Sequence, residues 1–107
     1  MASAYLIHVD PPSGYANPDG MAQYASNVGD IVESFGGIYH ARHKAVGVFE
    51  GSWRPDFITL IEFPSLDKLR QFYDSEEYRP WLELRKNAGD GSLVIFEGSR
   101  SPDDYDQ

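Results

Sequence analysis

Residues 17–37 read NPDGMAQYASNVGDIVESFGG, and this stretch decides the fold. Asn17 suits an N-cap, Pro18 the first helical position and Asp19 the positive end of a helix dipole. Apolar side chains then recur at Met21, Tyr24, Ala25, Val28, Ile31, Val32 and Phe35. That 3-4-3-4 spacing predicts an amphipathic helix, and Gly36-Gly37 ends it. Such a helix has one stripe to bury. Its neighbours in sequence supply the surface: Ala4–Val9 is a β-branched apolar run that breaks at Asp10-Pro11-Pro12-Ser13-Gly14, and Ile38–His43 opens another.

Further along, Val46–Glu50 is expected to continue the second strand past an irregularity near Lys44, and Gly51–Asp56 reads as a loop. Phe57–Phe63 is almost all β-formers and predicts a third strand, stopped by Pro64. Ser65 can cap a short helix carrying Leu66, Leu69, Phe72 and Tyr73. Ser75 can cap a second one carrying Tyr78, Trp81, Leu82, Arg85 and Ala88, with Pro80 favouring a start near itself. Gly89-Asp90-Gly91 ends that helix, and Ser92–Glu97 predicts a fourth strand. The order β-α-β-β-α-β is that of the α+β ferredoxin-like fold: an antiparallel four-stranded sheet in strand order 4-1-3-2, with helices on one face. Residues 1–98 are expected to form one domain and 99–107 a mobile acidic tail. The uncovered sheet face still carries apolar side chains, so a homodimer with two sheets face to face is expected.

Composition narrows the function. The chain has 107 residues, 41% hydrophobic and 24% charged, enough for one core and unlike a disordered or fibrous chain. Nine basic residues against 17 acidic ones give a net charge of −8, which disfavours nucleic acid and anionic membrane as partners. With no cysteine, thiolate metal sites, disulfides and cysteine nucleophiles are excluded. The opening Met1-Ala2-Ser3-Ala4 lacks a basic, apolar leader and no run is long enough to span a bilayer, so a cytoplasmic location is expected.

Five motifs occur in order: Gly36-Gly37-x-Tyr39-x-x-Arg42; Phe49-Glu50-Gly51-Ser52-Trp53-Arg54-Pro55; Ile61-Glu62-Phe63-Pro64-Ser65; Phe72-Tyr73-Asp74-Ser75-Glu76-Glu77-Tyr78; and Leu84-Arg85 followed by Glu97-Gly98. Together they resemble the domain of unknown function 1330 (DUF1330) family over about residues 4–98. The resemblance implies the dimeric α/β-barrel superfamily, which includes antibiotic-biosynthesis monooxygenases, polyketide cyclases, muconolactone isomerases and some haem enzymes. It implies no single activity, since fold analogy says little about reaction type. His40, the His43-Lys44 pair and the long Pro11–Pro18 loop depart from the family's usual pattern, as in a specialised biosynthetic member or by neutral drift.

Strand parity proposes a site. His8 and Asp10 share one face of the first strand, His40 and Arg42 one face of the second, and Glu62 lies on the third. If those faces coincide, His8, His40, Arg42 and Glu62 converge, with His8 beside Glu62 and His43 turned away. Such a His is a serviceable acid/base near neutral pH, and Arg42 or Arg85 could hold an enolate or carboxylate. The plain alternative is a set of structural polar groups, with Arg85 salt-bridged to Glu62, Glu50 or Glu77. Trp53, Tyr73, Tyr78 and Trp81 read either as pocket walls or as core, and the hydroxyls of Tyr73 and Tyr78 could donate protons. A two-His, one-Glu metal triad or a His-bound haem lacks a local signature, and neither metal nor cofactor is expected. The expected function is a small cofactor-independent isomerase, cyclase or related proton-transfer enzyme acting on an apolar or polyketide-like metabolite. The alternative is a non-catalytic binding or structural dimer.

Overall fold

The computed structural model describes residues 2–12 and 14–99. Its elements are β1 (Ala4–Val9), α1 (Pro18–Ser34), β2 (Ile38–Lys44), β3 (Phe57–Phe63), α2 (Leu66–Asp74), α3 (Arg79–Ala88) and β4 (Ser92–Glu97). The expected tail, 99–107, lies outside the described residues apart from Ser99. The strands form an antiparallel sheet in the order β2-β3-β1-β4, the ferredoxin-like arrangement. Among the described residues no helix is long and apolar enough to cross a membrane.

Local chemistry sets the boundaries. The Asn17 side chain accepts from the Gly20 N–H at 3.0 Å, and Ser65 Oγ accepts from the Lys68 N–H at 3.2 Å. At the far end of α1, Gly36 takes φ +84° and lets its N–H and that of Gly37 close on the carbonyls of Glu33 and Val32. Ser75 caps the turn before α3 rather than the helix itself, accepting from the Tyr78 N–H, so α3 starts at Arg79 with Pro80 in its first turn. The expected strand over Val46–Glu50 is absent. β3 begins at Phe57, opposite Lys44, so residues 46–50 have no partner strand, and residues 45–56 form a loop tied at its base by Ala45 N–H to Asp56 O.

The core lies between the helices and one sheet face. Ala4 and Leu6 of β1, Ile61 and Phe63 of β3, Val28 and Val32 of α1, and Leu69, Phe72 and Tyr78 are all buried. Each large side chain here contributes roughly 1.5–3 kcal/mol by leaving water. The opposite face carries Tyr5, Ile7, Leu60, Val94 and Phe96, with Tyr5 and Phe96 stacked at 5.5 Å between ring centres. Ile38 and Val94 are each 56% exposed there, an apolar surface with no helix over it.

Candidate functional site

On the helix side the core is incompletely filled. A cavity of about 350 Å³ lies between α1 and the sheet. Its walls are mostly apolar: Leu6, Met21, Ala25, Val28, Phe57 and Ile61 among them. That is within the size range of small-molecule sites, and a few polar groups converge on it, as such sites require.

One polar group is built on β1 and the loop after it. His8 lies opposite Thr59 of β3 and Leu93 of β4, so it points to the helix side, where it is 8% exposed. Its Nε2 is 2.8 Å from Tyr15 Oη, and Tyr15 donates to Asp10 Oδ1 at 3.3 Å. Tyr15 reaches this position because its loop is tied to the end of α3: the Ala16 and Asn17 N–H groups both donate to the Ala88 carbonyl. Glycine beneath the ring is also required, since a Cβ on Gly91 would stand 2.8 Å from the Tyr15 hydroxyl and 3.1 Å from His8 Nε2.

Burial, helped by the positive charge of Arg85, lowers the His8 pKa from 6.5 to about 4, so the imidazole is neutral at neutral pH. Burial also pushes the Tyr15 phenol and the Asp10 carboxyl up, the latter partly offset by the bond from Tyr15. While Asp10 is ionised, Tyr15 donates to it and accepts from His8 Nε2–H, leaving the His8 lone pair on Nδ1. If Asp10 takes up a proton, the Tyr15 hydroxyl is free to turn and donate to Nε2. The three side chains thus form a chain along which one proton can pass.

The second polar group joins helices. Tyr24 of α1 and Tyr78, just before α3, both border the cavity, with their hydroxyl oxygens 2.6 Å apart. Arg85 lies beside the Tyr78 hydroxyl, is 4% exposed and has an Nε without a hydrogen-bond partner. The expected ion pair to Glu62, Glu50 or Glu77 does not form: among the described residues no carboxylate lies within 4.0 Å of this guanidinium. Burial opposes its charge, but the surrounding tyrosines Tyr78, Tyr24 and Tyr73 hold it firmly protonated.

The expected convergence of four strand residues does not form, for two reasons: the β1–β3 register puts His8 and Glu62 on opposite faces, and β2 carries a β-bulge. Tyr39 pairs with Ile61 and Ala41 with Leu60, so His40 is the extra residue in β2. Beyond it, side-chain direction is inverted. Arg42 lies opposite Thr59, on the helix side, where it borders the cavity and covers the Tyr39 ring at 3.9 Å. His43 falls on the open face, opposite Ile58, not on the side away from His40. Glu62 lies opposite Tyr5, also on the open face, so it is not a neighbour of His8. There it meets His40 at 2.7 Å, and Ser3 together with His40 holds its carboxyl below the usual range. A metal triad of His8, His40 and Glu62 is therefore split between two faces.

The aromatic candidates divide similarly. Tyr78 borders the cavity. Tyr73 faces a separate depression with Leu69, Arg70 and Ile95, Trp81 packs on the core, and Trp53 is 65% exposed on the 45–56 loop. The residues that sequence reasoning does not select are Asp10 as a partner, Tyr15 and Tyr24. Asp10 shares the strand parity of His8. Tyr15 sits in the loop noted as long, but nothing local in the sequence shows where that loop folds back.

The chain matches the family described as Domain of unknown function (DUF1330) over residues 3–99. No functionally curated protein matches it in sequence. Among solved structures, a protein of unknown function from Rhodopseudomonas palustris is similar at TM-score 0.74 and 16% identity, over 92% of this chain and 84% of that one. A dimeric ferredoxin-like protein of unknown function from Jannaschia aligns at TM-score 0.66 and 11% identity, over 92% and 99%. An ethyl tert-butyl ether D (EthD) family protein from Bacillus halodurans aligns at 0.59 and 16%, over 92% and 99%. At these identities the likeness is one of fold.

Proposed function

The chain belongs to the DUF1330 family, and we propose that it is a small homodimeric enzyme that moves a proton on an apolar, polyketide-like carbonyl compound, using its own side chains as acid and base. The observation that carries this reading is the apolar cavity with the His8–Tyr15–Asp10 chain in its wall. The outcome of such a transfer is isomerisation or cyclisation.

The chemistry suits the electrostatics. A base with a pKa of about 4 is always available at neutral pH but has little proton affinity. It matches a carbon acid already activated, such as the methylene between two carbonyls. As that proton leaves, negative charge grows on the carbonyl oxygen, and a fixed hydroxyl or cation in a dry site stabilises it. Relay through Tyr15 to Asp10 then holds the proton until it returns to another atom. The homodimer reading rests on the exposed apolar sheet face and on neighbours described as dimeric. The low basicity of His8 equally suits a binding protein without catalysis, and one assay separates the two.

That assay follows ketonisation of an enolised aryl 1,3-diketone at its enol absorption band. The wild type should accelerate it, His8→Gln should lower the rate by about 10²–10⁴-fold, and His40→Ala, on the opposite face, should change it less than about twofold. Equal rates for wild type and His8→Gln, or no acceleration over buffer, would discard the enzymatic reading in favour of binding alone.

A further inference from the structure

The Tyr24–Tyr78–Arg85 group plays no part in the proton chain just described, and its hydrogen-bonding logic is directional. A guanidinium has donors only. Arg85 is buried without a carboxylate, and its neighbour is the Tyr78 hydroxyl, whose oxygen must therefore act as the acceptor toward it. The Tyr78 and Tyr24 hydroxyls, 2.6 Å apart, then have two orientations, since either can donate to the other. When Tyr78 donates, the Tyr24 proton has no other acceptor among the described residues, and a ligand anion in the cavity would select that orientation. Because Tyr24 borders the cavity, that proton is available to a ligand.

We propose that the cavity ligand carries an acidic oxygen, an enol or a phenol, that binds as its anion to the Tyr24 hydroxyl, with the uncompensated Arg85 guanidinium behind Tyr78 supplying the countercharge. The inference rests on the cavity being a ligand site and names the class of molecule it takes. A buried arginine with an orphaned Nε is costly unless something offsets its charge. Tyrosine oxygens do so in part, and an anion at the far end of the Tyr78–Tyr24 pair adds to it. Chains of hydrogen bonds polarise one another, so Arg85 and Tyr78 make Tyr24 a stronger donor than an isolated phenol. The apolar walls select the rest of the molecule, and the volume, about that of a dozen water molecules, limits it to one small ring system.

The net charge of −8 makes the test discriminating, because the protein as a whole opposes anion binding. The probe is 4-nitro-1-naphthol, an apolar bicyclic compound whose naphtholate absorbs visible light. The full-length protein is titrated with it across a pH series, and the pH at half-ionisation of the bound probe is compared with that of the free probe. The expected result is a downward shift of about one pH unit, a tenfold preference for the anion. Tyr24→Phe should abolish the shift while the neutral probe still binds, and that variant keeps the ring that fills the core. Arg85→Met should do the same where it folds, and where it does not, Tyr24→Phe alone decides. Binding with an unchanged or raised half-ionisation pH would overturn the inference and leave the cavity reading intact. A shift lost in Arg42→Ala but kept in Tyr24→Phe would overturn it too, assigning the anion to the rim. Absence of saturable binding of either form would overturn both.

Discussion

Neutral His8 is a stability device as well as a candidate base, and its size follows from two numbers. In the unfolded chain an imidazole titrates near 6.5, and in the folded chain His8 does so at about 4. The folded state therefore holds fewer protons between these values, and stability declines as the pH falls through that window. The His8 contribution is complete above pH 6.5, has lost about 1.4 kcal/mol by pH 5.5 and about 3 kcal/mol by pH 4. Asp10 works in the opposite sense, since its carboxyl is raised and folding favours its proton. The perturbation must therefore isolate His8, and His8→Gln does so by keeping a hydrogen-bonding side chain that does not titrate. Urea unfolding of both proteins at 25 °C, at one fixed protomer concentration and at several pH values from 7 to 4, gives the difference in stability. Wild type should lose about 3 kcal/mol relative to His8→Gln across the series, and the His8 ring resonances in NMR should titrate near pH 4. A flat difference, or a His8 midpoint at 6 or above, would refute the burial argument and with it the reading of His8 as a permanently neutral base.

Two further outcomes follow from the geometry. Sedimentation at micromolar concentration should give a species of twice 12.0 kDa, and Val94→Asp, midway along the edge strand β4 on the open face, should convert it to monomer; a wild-type monomer would remove the reason for that face. Gly91→Ala should lower probe binding or turnover about tenfold or more, because the added Cβ displaces the Tyr15 hydroxyl, and should cost about 1 kcal/mol of stability, because it also stands 3.2 Å from the Val9 carbonyl; unchanged function would show that Tyr15 is not needed beside His8.

The elements are legible in the sequence because their signals are local. Asn17, Ser65 and Gly36 mark helix ends by chemistry that acts within four residues, and the structure uses each in that way. Strand order follows from connection rules. The site is less legible because it depends on parity, and parity depends on register. A single extra residue at His40 reverses every side chain after it, and no pattern in Ile38–Lys44 announces that bulge. Uninterrupted alternation would set Arg42 beside His40, and the bulge puts it on the other face. The same parity argument on β1, which has no bulge, places His8 and Asp10 together as expected, while β3 presents its other residue set to the helices.

Side-chain size along α1 explains why there is a cavity at all. Its stripe is apolar throughout, which periodicity reads, but the volumes differ. In the second half Val28 and Val32 join the buried cluster with Phe63 and Phe72, and Val28, Val32 and Phe72 form the inner wall of the cavity. In the first half the lining residues Ala22 and Ala25 are small and exposed, so the cavity is open to solvent beside them. Close packing is the rule for interiors, and small side chains at positions 22 and 25 leave the mouth of this cavity unfilled where larger ones would close it. The open face shows the complementary economy: its apolar side chains gain nothing until a partner covers them. On the reading proposed above, the sheet is used twice: one face would hold space for a ligand, and the other would gain its burial energy when two chains associate.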